Sequence, residues 1–399
     1  MKKYRLLPSV IVIISCFGCV NAINGNKMSV GVTDDDNIAD SLLGLYHMQS
    51  TVNIKTDPNL AIEEGYDAGV SGFFSGVVNG QLIIAGGCNF PDNPLAADSK
   101  KKFYKGIYKL SKDIENEWKP EKIGNLPCQM AYGNGVTIPE GMVIIGGSDN
   151  SLSFDNVFLL SSDQEGEINI STLPSLPVKI DNAAATAINS KVYLAGGNVN
   201  GTPSNRVFSL DVKNYSNGWE ELPSFPGNPR LQPVIASGTD NNGNECLFIW
   251  SGFCGRTSGK DATLETNGWK YDFKSSKWIP SEGPKDENGE DVSIAGGAAT
   301  ILIDGRIVVA GGVNKDIFLE ALRNQQPDYL FHPVEWYKFN PYIFIFNPEE
   351  EKWEIHSSTQ KSSRAGAGML TTEDGKVLII QGEIKPRIRT SEIYEIDHL

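Results

Sequence analysis

Near the end of the 399-residue chain, four charged residues alternate with apolar ones. Glu383, Lys385, Arg387 and Arg389 are separated by Ile384, Pro386 and Ile388. They follow a short aliphatic run, Val377-Leu378-Ile379-Ile380, which reads as a strand buried on both faces and broken at Gly382. Pro386 biases Lys385 toward extended backbone. If the whole segment is extended, the period of two places all four charges on one side. One carboxylate among three cations at the mouth of a buried strand suits the holding and deprotonation of an anionic substrate. A solvated loop with screened ion pairs would show the same pattern. The rest of the chain must therefore say whether other polar groups gather around this stretch.

The aliphatic run is the last of six. Its counterparts end in Gly86-Gly87, Gly146-Gly147, Gly196-Gly197, Ser251-Gly252 and Gly311-Gly312, before the final Gln381-Gly382. The second glycines step by 60, 50, 55, 60 and 70 residues. A strand ending in paired glycines at a period of about 50 marks a kelch repeat. Each copy is preceded by a strand of small residues and followed by an aromatic–apolar one. Trp118, Trp219, Trp278 and Trp353 stand on the outer strands as packing anchors between blades. The fold class is therefore all-β: a six-bladed kelch-type β-propeller over residues 42–399, after a leader (1–22) and a loose polar segment (23–41).

In a propeller, the loops from strand two to three and from strand four to one emerge on one face around the channel. Charged loops far apart in sequence then meet in one concave site. The converging segments supply Arg230, Gln232, Asn182 and Tyr132, with Lys385 from the charged loop. Two insertions on the same face supply Asn89 (residues 88–105) and Asn314 (314–340). The second insertion, with a helix-like start and a run of aromatics, is expected to form a pocket wall or lid.

The formal charge of −14 argues against nucleic-acid or anionic-membrane partners. Lys2, Lys3 and Arg5 precede an apolar run, and Val20-Asn21-Ala22 resembles a cleavage site, so export to a bacterial periplasm is expected. Ile13-Ile14-Ser15-Cys16 also resembles a lipobox, which would anchor the chain through Cys16. No other stretch approaches the roughly 18 apolar residues of a membrane span. Cys88, Cys128, Cys246 and Cys254 remain after cleavage. They lack zinc spacing and are read as structural, with their pairing open.

Residues 382–390 resemble the Gly-Glu-x-Lys-Pro-x-x-Arg-Thr motif of bacterial sialic acid mutarotases (N-acetylneuraminate epimerases). Gly86-Gly87-Cys88-Asn89-Phe90-Pro91, Phe225-Pro226-Gly227-Asn228-Pro229-Arg230 and the stretch from Gly311 to Phe318 fit the same family. The Glu-bearing blade comes last, so the chain resembles a cyclically permuted branch. Arg387 and Met130 depart from the usual residues at their positions. The resemblance implies anomer exchange of a sialic acid without metal or redox cofactor, with Glu383 and Arg389 as the catalytic pair. Glu383 would take the anomeric proton, and Arg389 would clamp the substrate carboxylate. A sialidase would show Ser-x-Asp-x-Gly-x-x-Trp boxes, which are absent from the sequence. A copper oxidase of the kelch fold would need two suitably placed ligand histidines, and His47, His332, His356 and His398 do not supply them. The alternative from another class is a non-catalytic kelch module of the cell envelope that binds glycan or protein.

The sixth repeat ends after its third strand, and residues 47–54 are the expected donor of a fourth, which would close the ring. Deletion of residues 42–60 is expected to abolish cooperative unfolding. A deletion variant with unchanged melting would refute that closure.

Overall fold

Six times over, the aliphatic run becomes the second strand of an antiparallel sheet, because residues apolar on both sides need cover on both faces. In the computed structural model, which describes residues 52–53, 60–257, 259–324, 326–396 and 399, the first blade pairs Phe74–Val78, Gln81–Ala85, Gly106–Lys112 and Trp118–Asn125 in that order. Blades two to five repeat the scheme, from inner strands Asn134–Ile138, Ile180–Ile188, Val234–Thr239 and Ala298–Ile301. The sixth has Gly368–Thr371, Val377–Ile380 and Ile393–Ile396, three strands among the described residues. The core lies between blades. Val143 and Ile145 of blade two, for example, pack with Ile180, Val192 and Leu194 of blade three. Each such buried side chain contributes about 1.5–3 kcal/mol.

The indole nitrogens of the four expected tryptophans all reach the neighbouring blade. Trp219 donates to the Pro174 carbonyl, Trp278 to Pro223 and Trp353 to Glu282. Trp118 of blade one donates to the Glu395 carboxylate of blade six at 3.0 Å, across the seam. All four described cysteines are free thiols.

A second device links the blades at the axis. Where each inner strand begins, one residue adopts left-handed backbone: Gly72, Tyr132, Asn182, Gln232, Gly296 and Gly366, with φ between 46° and 75°. The N–H of each donates to the carbonyl of the one before, and Gly72 donates to Gly366. The six bonds, 2.7–3.0 Å long, form a closed circle around the channel mouth. Below it runs a channel of about 400 Å³, lined by small inner-strand residues such as Ser75, Ala185, Ala236 and Ala299.

The expected closing strand, residues 47–54, lies outside the described residues except for Val52–Asn53. That pair bridges the outer strand of blade two, with Val52 opposite Ile170 and Asn53 opposite Asn169. Among the described residues, the seam between blades six and one is bridged by the axial circle and by Glu395, which also bonds Lys112 across the seam (3.0 Å) and Lys376 within its own blade (2.8 Å). Lys376, Trp118 and Lys112 bring the Glu395 carboxyl down from 4.5 to about 2. A depressed carboxyl contributes stability above its unfolded value and loses it as pH falls through the folded one. Glu395→Gln is therefore expected to cost about 1–2 kcal/mol at neutral pH, after allowance for partial exposure. In denaturant titrations the gap to wild type should shrink as pH drops from about 4.5 to about 2; a gap constant with pH would refute the seam role.

Candidate active site at the channel mouth

The charged stretch after Gly382 does not run straight. It folds into a hairpin, Glu383–Lys385 against Ile388–Arg389, which places Arg389 opposite Glu383. The turn is made at Pro386-Arg387, where Arg387 takes a φ of 68°. This corrects the single extended segment expected from Pro386, although Glu383, Lys385 and Arg389 still point inward together and Ile384 and Ile388 remain partly exposed.

Glu383 Oε2 and Arg389 Nη1 form an ion pair with side chains 3% and 1% exposed. Arg389 Nε donates to Ser71 Oγ at 3.0 Å, and the guanidinium carbon lies 5.4 Å from the Phe90 ring centre. The pair is fixed to the channel mouth by backbone. Glu383 and Ala365 exchange N–H···O bonds next to Gly366 of the axial circle, and Gly382 donates to Val70 beside Ser71. Taking two charges out of water costs several kcal/mol per ion, and their attraction does not reliably return it. A pair so buried is better explained by chemistry than by stability.

Tyr132, Asn182 and Gln232 stand on the circle itself and line the channel. Gln232 donates to Asn182 Oδ1 (2.7 Å), and Asn182 donates to Asp181 (2.6 Å). Burial pushes the Tyr132 phenol well up from its usual value. Cys88 and Glu383 add to the rise and Arg389 opposes it, so the hydroxyl stays protonated beside the ion pair.

The other expected substrate contacts are spent on the framework. Arg230 is 1% exposed, and its guanidinium donates to the carbonyls of Ser251 and Asn267 and to Asn267 Oδ1. Burial brings it down to about 10. Arg364 repeats this two blades on, tying Gln381 and Glu392. Asn89 bonds the Gly65 and Gly69 carbonyls and the Tyr104 hydroxyl. Asn314 caps the helix Lys315–Arg323 by accepting from the N–H groups of Asp316 and Ile317. Lys385 donates to the carbonyls of Leu330 and His332 in the second insertion, whose Tyr329, Trp336 and Tyr337 pack against one another. Arg387 likewise holds the carbonyls of Pro94 and Ala96 in the first.

Sequence reasoning missed Ser71, and Lys101 of the first insertion, whose ammonium donates to the Tyr132 hydroxyl at 2.9 Å. Ser71 precedes a circle residue as Asp181 precedes Asn182, so the repeat register pointed to it. No sequence signal singles out Lys101 within its insertion.

Fold and site together define a kelch-type six-bladed propeller with a buried carboxylate–guanidinium pair on its axial face. The family model described as N-acetylneuraminate epimerase matches residues 39–170 and 173–398, and the chain belongs to that family. Among curated relatives, the N-acetylneuraminate epimerase of Haemophilus influenzae (strain 86-028NP) is 28% identical over 241 residues, 57% of this chain and 60% of the relative. That of Escherichia coli O1:K1 / APEC is 29% identical over 244 residues, 57% and 61% respectively. The chain thus spans about 60% of the length of the curated relatives it matches. The solved structure of YjhT superposes with a TM-score of 0.56 at 14% identity, covering 82% of this chain and 95% of that one, and supports the fold.

Arg230→Gln is expected to destabilise the fold by about 3 kcal/mol in denaturant unfolding, since buried carbonyls lose a charged donor. Unchanged stability with weakened ligand binding would return Arg230 to the site.

Proposed function

We propose that the protein accelerates interconversion of the α and β anomers of N-acetylneuraminate or a closely related sialic acid. The observation that carries this reading is the buried Glu383–Arg389 pair beside the axial circle, in a chain of the N-acetylneuraminate epimerase family. Anomer exchange in a 2-keto sugar acid needs a proton removed from the anomeric hydroxyl and one delivered to the ring oxygen. The C2–O6 bond then breaks, the exposed ketone turns, and O6 re-adds to its other face. Glu383 takes the anomeric proton and, through a water, passes it to O6 as the ring opens; on closure O6 returns it by the same route to the new anomeric oxygen, so no net proton is gained or lost. Arg389, held at its Nε by Ser71, clamps the substrate carboxylate beside Glu383 in this reading. Tyr132, Asn182 and Gln232 present polar groups to a sugar lying over the channel mouth. In this reading the leader sequence places the activity in the bacterial periplasm.

The test follows α-N-acetylneuraminate, freshly released by a sialidase, by proton NMR with and without the protein. Glu383→Gln and Arg389→Ala are each expected to slow the exchange by about 100-fold or more while melting as cooperatively as wild type. Wild-type decay equal to that in buffer would leave the non-catalytic binding module as the remaining reading.

A further inference from the structure

An anionic sugar needs a cation whose charge is not already spent, and the channel mouth has a short supply. Arg389 is paired with Glu383. Arg230 and Arg364 are buried inside their blades. Lys385 and Arg387 clasp backbone carbonyls of the two insertions. Lys101, in the first insertion, is different. Its ammonium donates to the Tyr132 hydroxyl at 2.9 Å and lies 4.7 Å from the Tyr132 ring centre, 5.8 Å from Phe90 and 5.9 Å from Phe103. Among the described residues no carboxylate lies within 4.0 Å of it. Three aromatic rings fix the position of this cation through their quadrupoles without cancelling its charge.

The location suits one particular anion. Phe90 is shared between Lys101 and Arg389, and Tyr132 belongs to the axial circle next to Gly72, whose neighbour Ser71 holds Arg389. In a 2-keto sugar acid the carboxylate carbon is bonded directly to the anomeric carbon. Whatever cation holds that carboxylate must therefore lie within one side chain's reach of the base. We propose that Lys101, boxed by Phe90, Phe103 and Tyr132, binds the substrate carboxylate, which leaves the Glu383–Arg389 pair for proton transfer at the adjacent carbon. This assignment rests on the sugar-acid reading above and differs from it in giving the clamp to Lys101 rather than to Arg389.

The test compares wild type, Lys101→Met and Lys101→Arg. Binding of N-acetylneuraminate and of its uncharged methyl ester is measured by calorimetry, and anomer exchange of the acid by NMR. Lys101→Met should weaken binding of the acid about tenfold or more and leave the ester within about twofold. Lys101→Arg should restore most of the acid's affinity. Equal affinity of wild type and Lys101→Met for the acid overturns the proposal, as does equal loss of acid and ester. Wild type that binds the acid with Lys101-dependent affinity but leaves exchange at the buffer rate would sink the catalytic reading and keep this one. Fast wild-type exchange with Lys101-independent binding would do the reverse, and no binding of the acid to wild type would end both.

Discussion

The constraint on which the molecule depends is the circle of six backbone hydrogen bonds at the channel mouth. Each link needs a residue in left-handed backbone where an inner strand begins. Glycine meets that need without strain at positions 72, 296 and 366, whereas Tyr132, Asn182 and Gln232 pay of order 1 kcal/mol each to be there. Their presence divides the circle into a bare half and a decorated half. The Glu383–Arg389 hairpin attaches at the bare half, beside Ser71 and Ala365. Amide and phenol groups occupy the other. The backbone geometry that links the blades thereby decides where a sugar ring finds room and where it finds polar contacts.

Buried arginines reinforce this geometry. In blades four and six the residue two positions before the circle is Arg230 or Arg364, and each reaches the carbonyl where the expected Gly-Gly is Ser-Gly or Gln-Gly. Ser251 and Gln381 add side-chain bonds of their own, to Glu265 and Ile294 in one case and to Val70 in the other. The two blades that depart from paired glycine thus carry additional ties, and the second of them holds the ion pair.

Much of this was legible in the chain. The repeated aliphatic run and its glycines specified six blades, since a strand apolar on both sides has few other homes. The choice of Glu383 and Arg389 as a pair came from the resemblance carried by the Gly-Glu-x-Lys-Pro-x-x-Arg-Thr stretch, and the hairpin sets the two opposite each other. What the sequence hid was the partner of each other charge. Arg230 looks like a ligand contact until its carbonyl partners, 21 and 37 residues away, are seen to enclose it. The turn at Pro386-Arg387 was equally opaque. Arg387 takes left-handed backbone there, and its guanidinium bonds carbonyls nearly 300 positions earlier in the chain, which no local pattern encodes.

One detail of the hairpin has a mechanical consequence. Lys385 grips the helical insertion and Arg387 grips the first insertion, from the two sides of Pro386 in a single tight turn. Both insertions therefore share one fulcrum. Any tug on Glu383 or Arg389 is carried along a few covalent bonds to both sides at once, so admission and release of a guest would be coordinated events rather than separate movements of two independent flaps.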